Sequence, residues 1–270
     1  MKITFIGGGN MATALAGGLI KRGQAAKDIR VVEPDAAARR RIRKLGVTVL
    51  ERSDAKALAG ARLVVLAVKP QQMREAARAL APLLEGRLVV SIAAGIRLAD
   101  LRRWLGGHRA LVRCMPNTPA LIGAGISGLY APAGVSAAAR RSAERVLAAV
   151  GKTVWLRHER LLDPVTAVSA SSPAYVFWFV EQLAAAGVDL GLPQDVSMKL
   201  AKEAVLGSAR LAAESADSPS LLRARVTSKG GTTEAALRVF EEERLAERFR
   251  RAVEAASRRG AELGALLGKD

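Results

Sequence analysis

Ile3-Thr4-Phe5-Ile6-Gly7-Gly8-Gly9-Asn10-Met11-Ala12-Thr13-Ala14-Leu15 reads as an apolar strand, a glycine turn and a helix whose apolar period continues to Leu19. In that order the three parts set a dinucleotide pyrophosphate on a helix N-terminus, where free amides and the helix dipole favour an anion. Within Gly7-x-Gly9-x-x-Ala12, the first glycine allows the tight turn and the second lets the backbone approach the phosphates. Ala12 is small enough for the helix to sit close on the strand. A glycine fingerprint alone also serves as a plain turn, so the weight rests on the strand before it and the helix after it.

Composition agrees with this start. The 270 residues, half of them hydrophobic, are enough for a proper core and two domains. With the first strand beginning at residue 2, no signal peptide is expected ahead of it. The longest apolar candidate, Ala174 to Val180, stops at Glu181, so no membrane span and no membrane partner are expected. Cys114 is the single cysteine, which rules out an internal disulfide and points to a reducing cytoplasm. Only His108 and His158 are present, far apart, so no metal site is expected and a histidine general base is disfavoured.

The formal net charge is +17, from 42 Lys and Arg against 25 Asp and Glu. Such a balance raises nucleic-acid binding as a question. The arginines, however, come as pairs such as Arg140-Arg141, Arg250-Arg251 and Arg258-Arg259, spread over the chain and interleaved with Glu. Aromatics are scarce, which speaks against a base-stacking platform. Solvated helix faces explain the pattern, and no nucleic-acid partner is expected. The positive field still favours an anionic cofactor and an anionic substrate.

The second strand, Ile29 to Val32, ends at Glu33. An acidic side chain roughly twenty residues past the glycines is placed to accept hydrogen bonds from an adenosine ribose diol, and it would repel a 2′-phosphate. That favours NADH, whereas Arg39, Arg40 and Arg41 on the next helix offer cations for the phosphate of NADPH; Glu33 is equally readable as a surface carboxylate before Pro34. The strand Leu63 to Val68 runs into Lys69-Pro70, with a helix starting near Gln71. The strand Leu88 to Ile92 ends in Ala93-Ala94-Gly95, small residues that suit either a bulky ring against the backbone or plain tight packing. The strand Ala110 to Cys114 delivers Met115-Pro116-Asn117-Thr118-Pro119, a stiffened loop expected to aim polar groups outward or to act as a structural turn. Cys114 reads as a buried small residue. Strands alternating with helices over about 150 residues predict a doubly wound parallel sheet.

After a last strand, Thr153 to Leu156, the pattern turns helical: Ala174 to Gly187, Pro193 to Glu214, Thr232 to Glu243 and Leu245 to Leu267. The expected division is therefore 1–158 for the dinucleotide-binding domain and 159–270 for an all-α domain. Ala174-Tyr175-Val176-Phe177-Trp178-Phe179-Val180 is apolar nearly all round, which predicts burial on more than one side, at a subunit interface or in the core of one chain. Val226-Thr227-Ser228-Lys229-Gly230-Gly231-Thr232-Thr233-Glu234 is a second glycine loop opening a helix. It suits a small anion such as a carboxylate, with Ser228, Thr232 and Thr233 as hydroxyl donors, or it is a plain N-cap.

Phe5 to Leu15, Val68-Lys69-Pro70, Val90 to Gly95, Arg113 to Ala120, Val168 to Phe177 and Val226 to Leu237 together resemble pyrroline-5-carboxylate reductase, in order and over essentially the full length. The strings Met-Pro-Asn-Thr-Pro-Ala at 115–120 and Thr-Ser-Lys-Gly-Gly-Thr-Thr-Glu-Ala-Ala-Leu at 227–237 carry most of its specificity. The resemblance implies a Rossmann domain followed by a helical dimerisation domain, homodimers that often assemble into decamers, and NADPH or NADH as cofactor. It implies the last step of proline biosynthesis, hydride transfer to a cyclic imino acid.

It also implies roles for particular residues. Gly7, Gly8, Gly9, Asn10 and Met11 are expected to hold the pyrophosphate, and Lys69, Pro70, Ala94 and Asn117 to line the groove toward the nicotinamide. Ser228, Gly231 and Thr232 are expected to bind the substrate carboxylate, and the Thr233 hydroxyl to meet the imine nitrogen as the catalytic contact. Three positions depart from the family's habit: Lys229 stands where many members have proline, Ser171-Ser172 replaces a frequent Gly or Ser-Gly, and Glu33 replaces a small or hydroxyl residue common in NADPH users. A protonated imine accepts hydride without a strong enzymic acid, so catalysis by positioning fits the scarcity of histidines. Two other readings stay open: a 3-hydroxyacid dehydrogenase, which would need Lys199 or Lys202 as an interior base, and a non-catalytic nucleotide-binding regulator.

Overall fold

A computed structural model describes residues 1–269. Its first half alternates strand and helix: β1 (Ile3–Ile6), α1 (Asn10–Lys21), β2 (Ile29–Val32), α2 (Ala36–Arg43), β3 (Thr48–Leu50), α3 (Ala55–Leu58), β4 (Leu63–Leu66), α4 (Met73–Leu80), β5 (Leu88–Ser91), α5 (Leu98–Trp104), β6 (Leu111–Met115), β7 (Gly125–Tyr130), α6 (Ala137–Ala148) and β8 (Gly151–Trp155). Every residue of β1, β4 and β5 is buried, as a parallel sheet covered on both faces requires of its central strands. Helix starts are set by side-chain caps: Asp35 accepts from the Ala38 amide, Asp54 from Ala57 and Ser136 from Ala139.

The eight strands lie in the order β3-β2-β1-β4-β5-β6-β7-β8. β1 to β6 pair in parallel, β7 runs antiparallel to β6, and β8 is parallel to β7. One core covers one face around Phe5, Leu15, Ile29 and Val90; the other lies around Leu66, Met73, Leu80 and Ile96. Chain direction across the sheet reverses between β1 and β4. The glycine turn after β1 and Lys69 after β4 thus sit at the topological switch point, where ligands of open α/β sheets bind. The doubly wound architecture is as expected, but the sheet is not purely parallel, and β3 and β7 were not expected at all.

Beyond β8 the chain is helical: α7 (Leu162–Val165), a π-turn over Thr166–Ala170, α8 (Ser172–Asp189), α9 (Gln194–Glu214), α10 (Pro219–Arg225), α11 (Thr232–Glu242) and α12 (Leu245–Leu267). The expected division at 158/159 does not coincide with the compact units. One unit is Met1–Ser171 together with the chain from Ala255 onward; the other is Ser172–Glu254. The cause is packing: Leu162 and Ala167 are buried, and Glu159 and Asp163 ion-pair with Arg113 of β6, so this segment belongs with the sheet. At the other end Leu267 packs against the second sheet core.

Within the helical unit, α8 is not a core helix of the single chain. Phe177 is 63% exposed and Trp178 57% exposed, and Val176, Phe179 and Leu183 are exposed too. A cavity of about 930 Å³ is lined by Tyr175, Trp178, Phe179, Phe240 and Phe249, among others. Tyr175 meets Phe249 edge-on at 6.1 Å, and its buried hydroxyl has no hydrogen-bond partner among the described residues. Among the described residues no helix is long and apolar enough to cross a membrane.

Candidate cofactor and substrate sites

The turn after β1 is shaped for an anion. Gly7 has φ +101°, and a Cβ on it would lie 2.7 Å from the Ala67 carbonyl oxygen, so conformation and space both demand glycine there. Gly9 caps α1 with extended backbone, and no described atom lies within 4 Å of where its Cβ would project. The amides of Asn10, Met11 and Ala12 have no acceptor among the described residues, and the first turn of α1 carries no acidic residue. Three free amides at the positive end of a twelve-residue helix can hold a phosphate.

Glu33 is built into that turn. Its Oε2 accepts the Gly8 amide at 2.7 Å and its Oε1 the Asp35 amide at 2.9 Å. Two backbone donors fix the carboxylate beside the glycines while leaving lone pairs for further donors. Of the arginine run at 39–41 on α2, Arg39 is committed: its Nη1 donates to the carbonyls of Glu33 and Pro34, and its Nη2 lies 3.6 Å from Glu51. Arg40 and Arg41 are exposed.

Lys69 is exposed and extended ahead of Pro70, which opens a short 3-10 turn before α4. Ala94 is half-buried in the loop after β5, between buried Ala93 and Gly95. Asn117 corrects the expectation of an outward-aimed polar group. It is 8% exposed, its Oδ1 accepts the Ile126 amide at 2.9 Å, and its Nδ2 donates to the Ser169 carbonyl at 3.1 Å. Asn117 therefore ties the loop after β6 to β7 and to the π-turn; Thr118 beside it is the exposed polar residue.

In the helical unit the second glycine loop opens α11. Gly230 has φ +74°, Gly231 is the N-cap residue, and α11 has no side-chain cap. A Cβ on Gly231 would lie 2.5 Å from the Ser228 hydroxyl, which explains a glycine there. The hydroxyls of Ser228, Thr232 and Thr233 and the amides of Thr232, Thr233 and Glu234 have no partner among the described residues. The Glu234 carboxylate is turned back onto the Gly230 amide at 2.7 Å. Free amides and three idle hydroxyls leave Ser228, Gly231, Thr232 and Thr233 together around one helix start.

A family model described as pyrroline-5-carboxylate reductase dimerisation matches residues 159–263, and one described as NADP oxidoreductase coenzyme F420-dependent matches residues 2–95. Pyrroline-5-carboxylate reductase of Pseudomonas aeruginosa is 48% identical, covering 99% of this chain and 98% of that protein. This chain belongs to the pyrroline-5-carboxylate reductase family. A solved pyrroline-5-carboxylate reductase from Coxiella burnetii is 38% identical with a TM-score of 0.91, covering 97% of this chain and 98% of that one. The Plasmodium falciparum pyrroline carboxylate reductase, solved with NADP bound, is 26% identical with a TM-score of 0.85, covering 98% of each chain.

For a pyrroline-5-carboxylate reductase, the other reactive side chains here are quiet. Cys114 is buried, and desolvation pushes its thiol well above the ordinary range, so it stays protonated. His108 Nε2 lies 2.7 Å from the Arg87 carbonyl and His158 is exposed. Lys199 and Lys202 are exposed on α9, not interior. Among the described residues no group of three or more His, Cys, Asp or Glu is placed to hold a metal ion.

Sequence reading missed Arg113. It is 4% exposed and pairs with Glu159 at 3.0 Å and Asp163 at 3.7 Å, while Glu159 Oε1 also accepts the Leu98 amide at 2.7 Å. This cluster holds the start of α5, and with it the loop carrying Ala94. An arginine inside an otherwise apolar strand, Leu111-Val112-Arg113-Cys114, is the signal that could have found it.

Proposed function

We propose that this chain reduces 1-pyrroline-5-carboxylate to proline with NAD(P)H, the last step of proline biosynthesis, with the cofactor on the glycine turn and the substrate acid on the start of α11. The observation that carries the reading is the pair of open helix starts, one in each unit, each with unpartnered amides and neither occupied by a side-chain cap. The residues fit a dinucleotide: Gly7, Gly8, Gly9, Asn10 and Met11 would hold its pyrophosphate, and Lys69, Pro70 and Ala94 would line the groove toward the nicotinamide. When bound, NAD(P)H supplies a hydride from nicotinamide C4.

The amides of Thr232 and Thr233, with the Ser228 and Thr232 hydroxyls, grip the substrate carboxylate, and Gly231 keeps that approach clear. Exposed Lys229 adds a cation to the same loop. The Thr233 hydroxyl meets the imine nitrogen and fixes the ring, so that the imine carbon takes the hydride and the nitrogen keeps its proton. Holding both reactants in place is the main contribution of the protein, because a protonated imine needs no strong acid beside it. Asn117 acts one step back, by fixing the loop after β6.

Glu33 gives NADH the advantage, since its fixed carboxylate accepts from a ribose diol and repels a 2′-phosphate. The chain works as a homo-oligomer through its dimerisation segment, and the exposed aromatic face of α8 supports a dimer as the unit; any decamer is built from that dimer. The single reduced cysteine supports a cytoplasmic setting. The test is NAD(P)H oxidation by purified protein with pyrroline-5-carboxylate and, separately, with the ketones of 3-hydroxy acids. Turnover is expected with the first alone. Turnover with the second alone would make it a hydroxyacid dehydrogenase, and none with either a nucleotide-binding regulator.

A further inference from the structure

The last helix returns to the sheet unit and touches it through a glycine. Gly264 is buried, and an alanine methyl at that position would stand 2.6 Å from the Gly95 carbonyl oxygen, well inside van der Waals contact. Seen from the other side, a methyl on Gly95 would meet the Gly264 amide nitrogen at 3.4 Å, and Gly95 itself has φ +76°. The clash at 264 is with backbone, so no side-chain rotation relieves it. One turn on, the Gly268 carbonyl accepts Arg103 Nη2 at 2.5 Å and Leu267 packs against the sheet core. A methyl on Gly268 would lie 2.4 Å from Asp100 Oδ2, the end of a flexible side chain. The loop after β5 is thus seated between the Glu159 carboxylate at the Leu98 amide and the backbone of α12.

We infer that Gly264 is a positioning residue for the dinucleotide: its missing side chain lets α12 seat the Ala94–Gly95 loop at the depth the nicotinamide end requires. This rests on the reading of Ala94 as part of the cofactor groove. A larger residue at 264 must push the loop or lift the helix from it: pushing displaces Ala94, and lifting removes the backbone that seats its loop, while the pyrophosphate turn is not in the contact.

The experiment compares the full-length enzyme with Gly264→Ala, Gly268→Ala, Ala94→Leu and Gly260→Ala. Gly260 lies on the same helix with no described atom within 4 Å of its Cβ position. Affinity for NADH is read by fluorescence titration, alongside KM for each substrate, kcat and melting midpoint. The expected result for Gly264→Ala is a dinucleotide affinity lower by roughly fivefold or more, with KM for the imino acid unchanged. Gly268→Ala should move the same way by less, since only a side chain need yield, and it serves if Gly264→Ala does not fold. Gly260→Ala should bind as wild type. Gly264→Ala and Gly268→Ala proteins with lowered midpoints but wild-type dinucleotide affinity would overturn the inference and leave a purely structural contact. If Ala94→Leu also binds NADH normally, the groove reading itself fails, and the inference with it.

Discussion

The Gly8 amide donates to Glu33 Oε2 at 2.7 Å, so the acid that ends β2 is part of the turn that begins α1. Since Oε1 takes the Asp35 amide, two backbone donors hold the carboxylate beside the glycine turn. Its negative charge therefore stands beside the first glycine turn.

Cofactor preference should follow that charge. Glu33→Gln keeps an oxygen for the Gly8 amide and removes the repulsion against a 2′-phosphate. The change is worth about 1–3 kcal/mol, or roughly five- to 150-fold in the ratio of kcat/KM for NADPH over NADH. Steady-state kinetics with both cofactors read it. A wild-type enzyme already preferring NADPH by about tenfold would contradict this role and shift attention to Arg40 and Arg41.

Assembly should depend on the exposed face of α8. Burying one phenylalanine is worth about 1.5–3 kcal/mol, and an isologous interface counts it twice. Phe177→Asp should therefore weaken self-association by at least about a hundredfold, because it also forces a charge into the interface. Light scattering across micromolar concentrations checks this. A wild-type chain that runs as a monomer there would remove the basis for reading α8 as an interface.

Much of this was legible in the residues, and the misses have physical causes. β4 is an unbroken apolar run, β1, β2, β5 and β6 are mostly apolar with one polar residue each, and both glycine loops stand directly ahead of periodic helices. β3 is three residues long, and β7 carries Gly125, Ser127 and Gly128, so neither presents a strand period. α10 is seven residues long and was missed, although Ser218 followed by Pro219 is a helix-start signal. Asn117 was misread because its partners, Ile126 and Ser169, are brought to it only by tertiary folding. The same holds for Gly95 and Gly264, which lie far apart in the numbering.

The Arg113 cluster should be a stability determinant for the sheet unit. Glu159→Ala leaves a buried guanidinium with only the longer contact to Asp163 and strips the Leu98 amide of its acceptor. Glu159 is partly exposed to solvent, which softens the loss to roughly 1–3 kcal/mol. Urea denaturation would measure it; Glu159→Ala with an unchanged midpoint would show that solvent replaces the pair without cost.

Thr233 carries the central claim. If its hydroxyl bonds the imine nitrogen, Thr233→Ala loses a hydrogen bond to a charged group, worth about 1.5–3 kcal/mol, or roughly ten- to 150-fold in turnover. Thr233→Ser keeps a hydroxyl oxygen to accept from the protonated imine and should keep most of the activity, and dinucleotide affinity should not change in either. α11 has no side-chain cap in the structure, so the melting midpoint should barely move. The decisive measurement is turnover per folded molecule for Thr233→Ala and Thr233→Ser beside their melting midpoints. A large loss in the alanine variant alone, at a near-wild-type midpoint, is the expected result; wild-type turnover with a lowered midpoint would contradict it and reduce Thr233 to a helix cap.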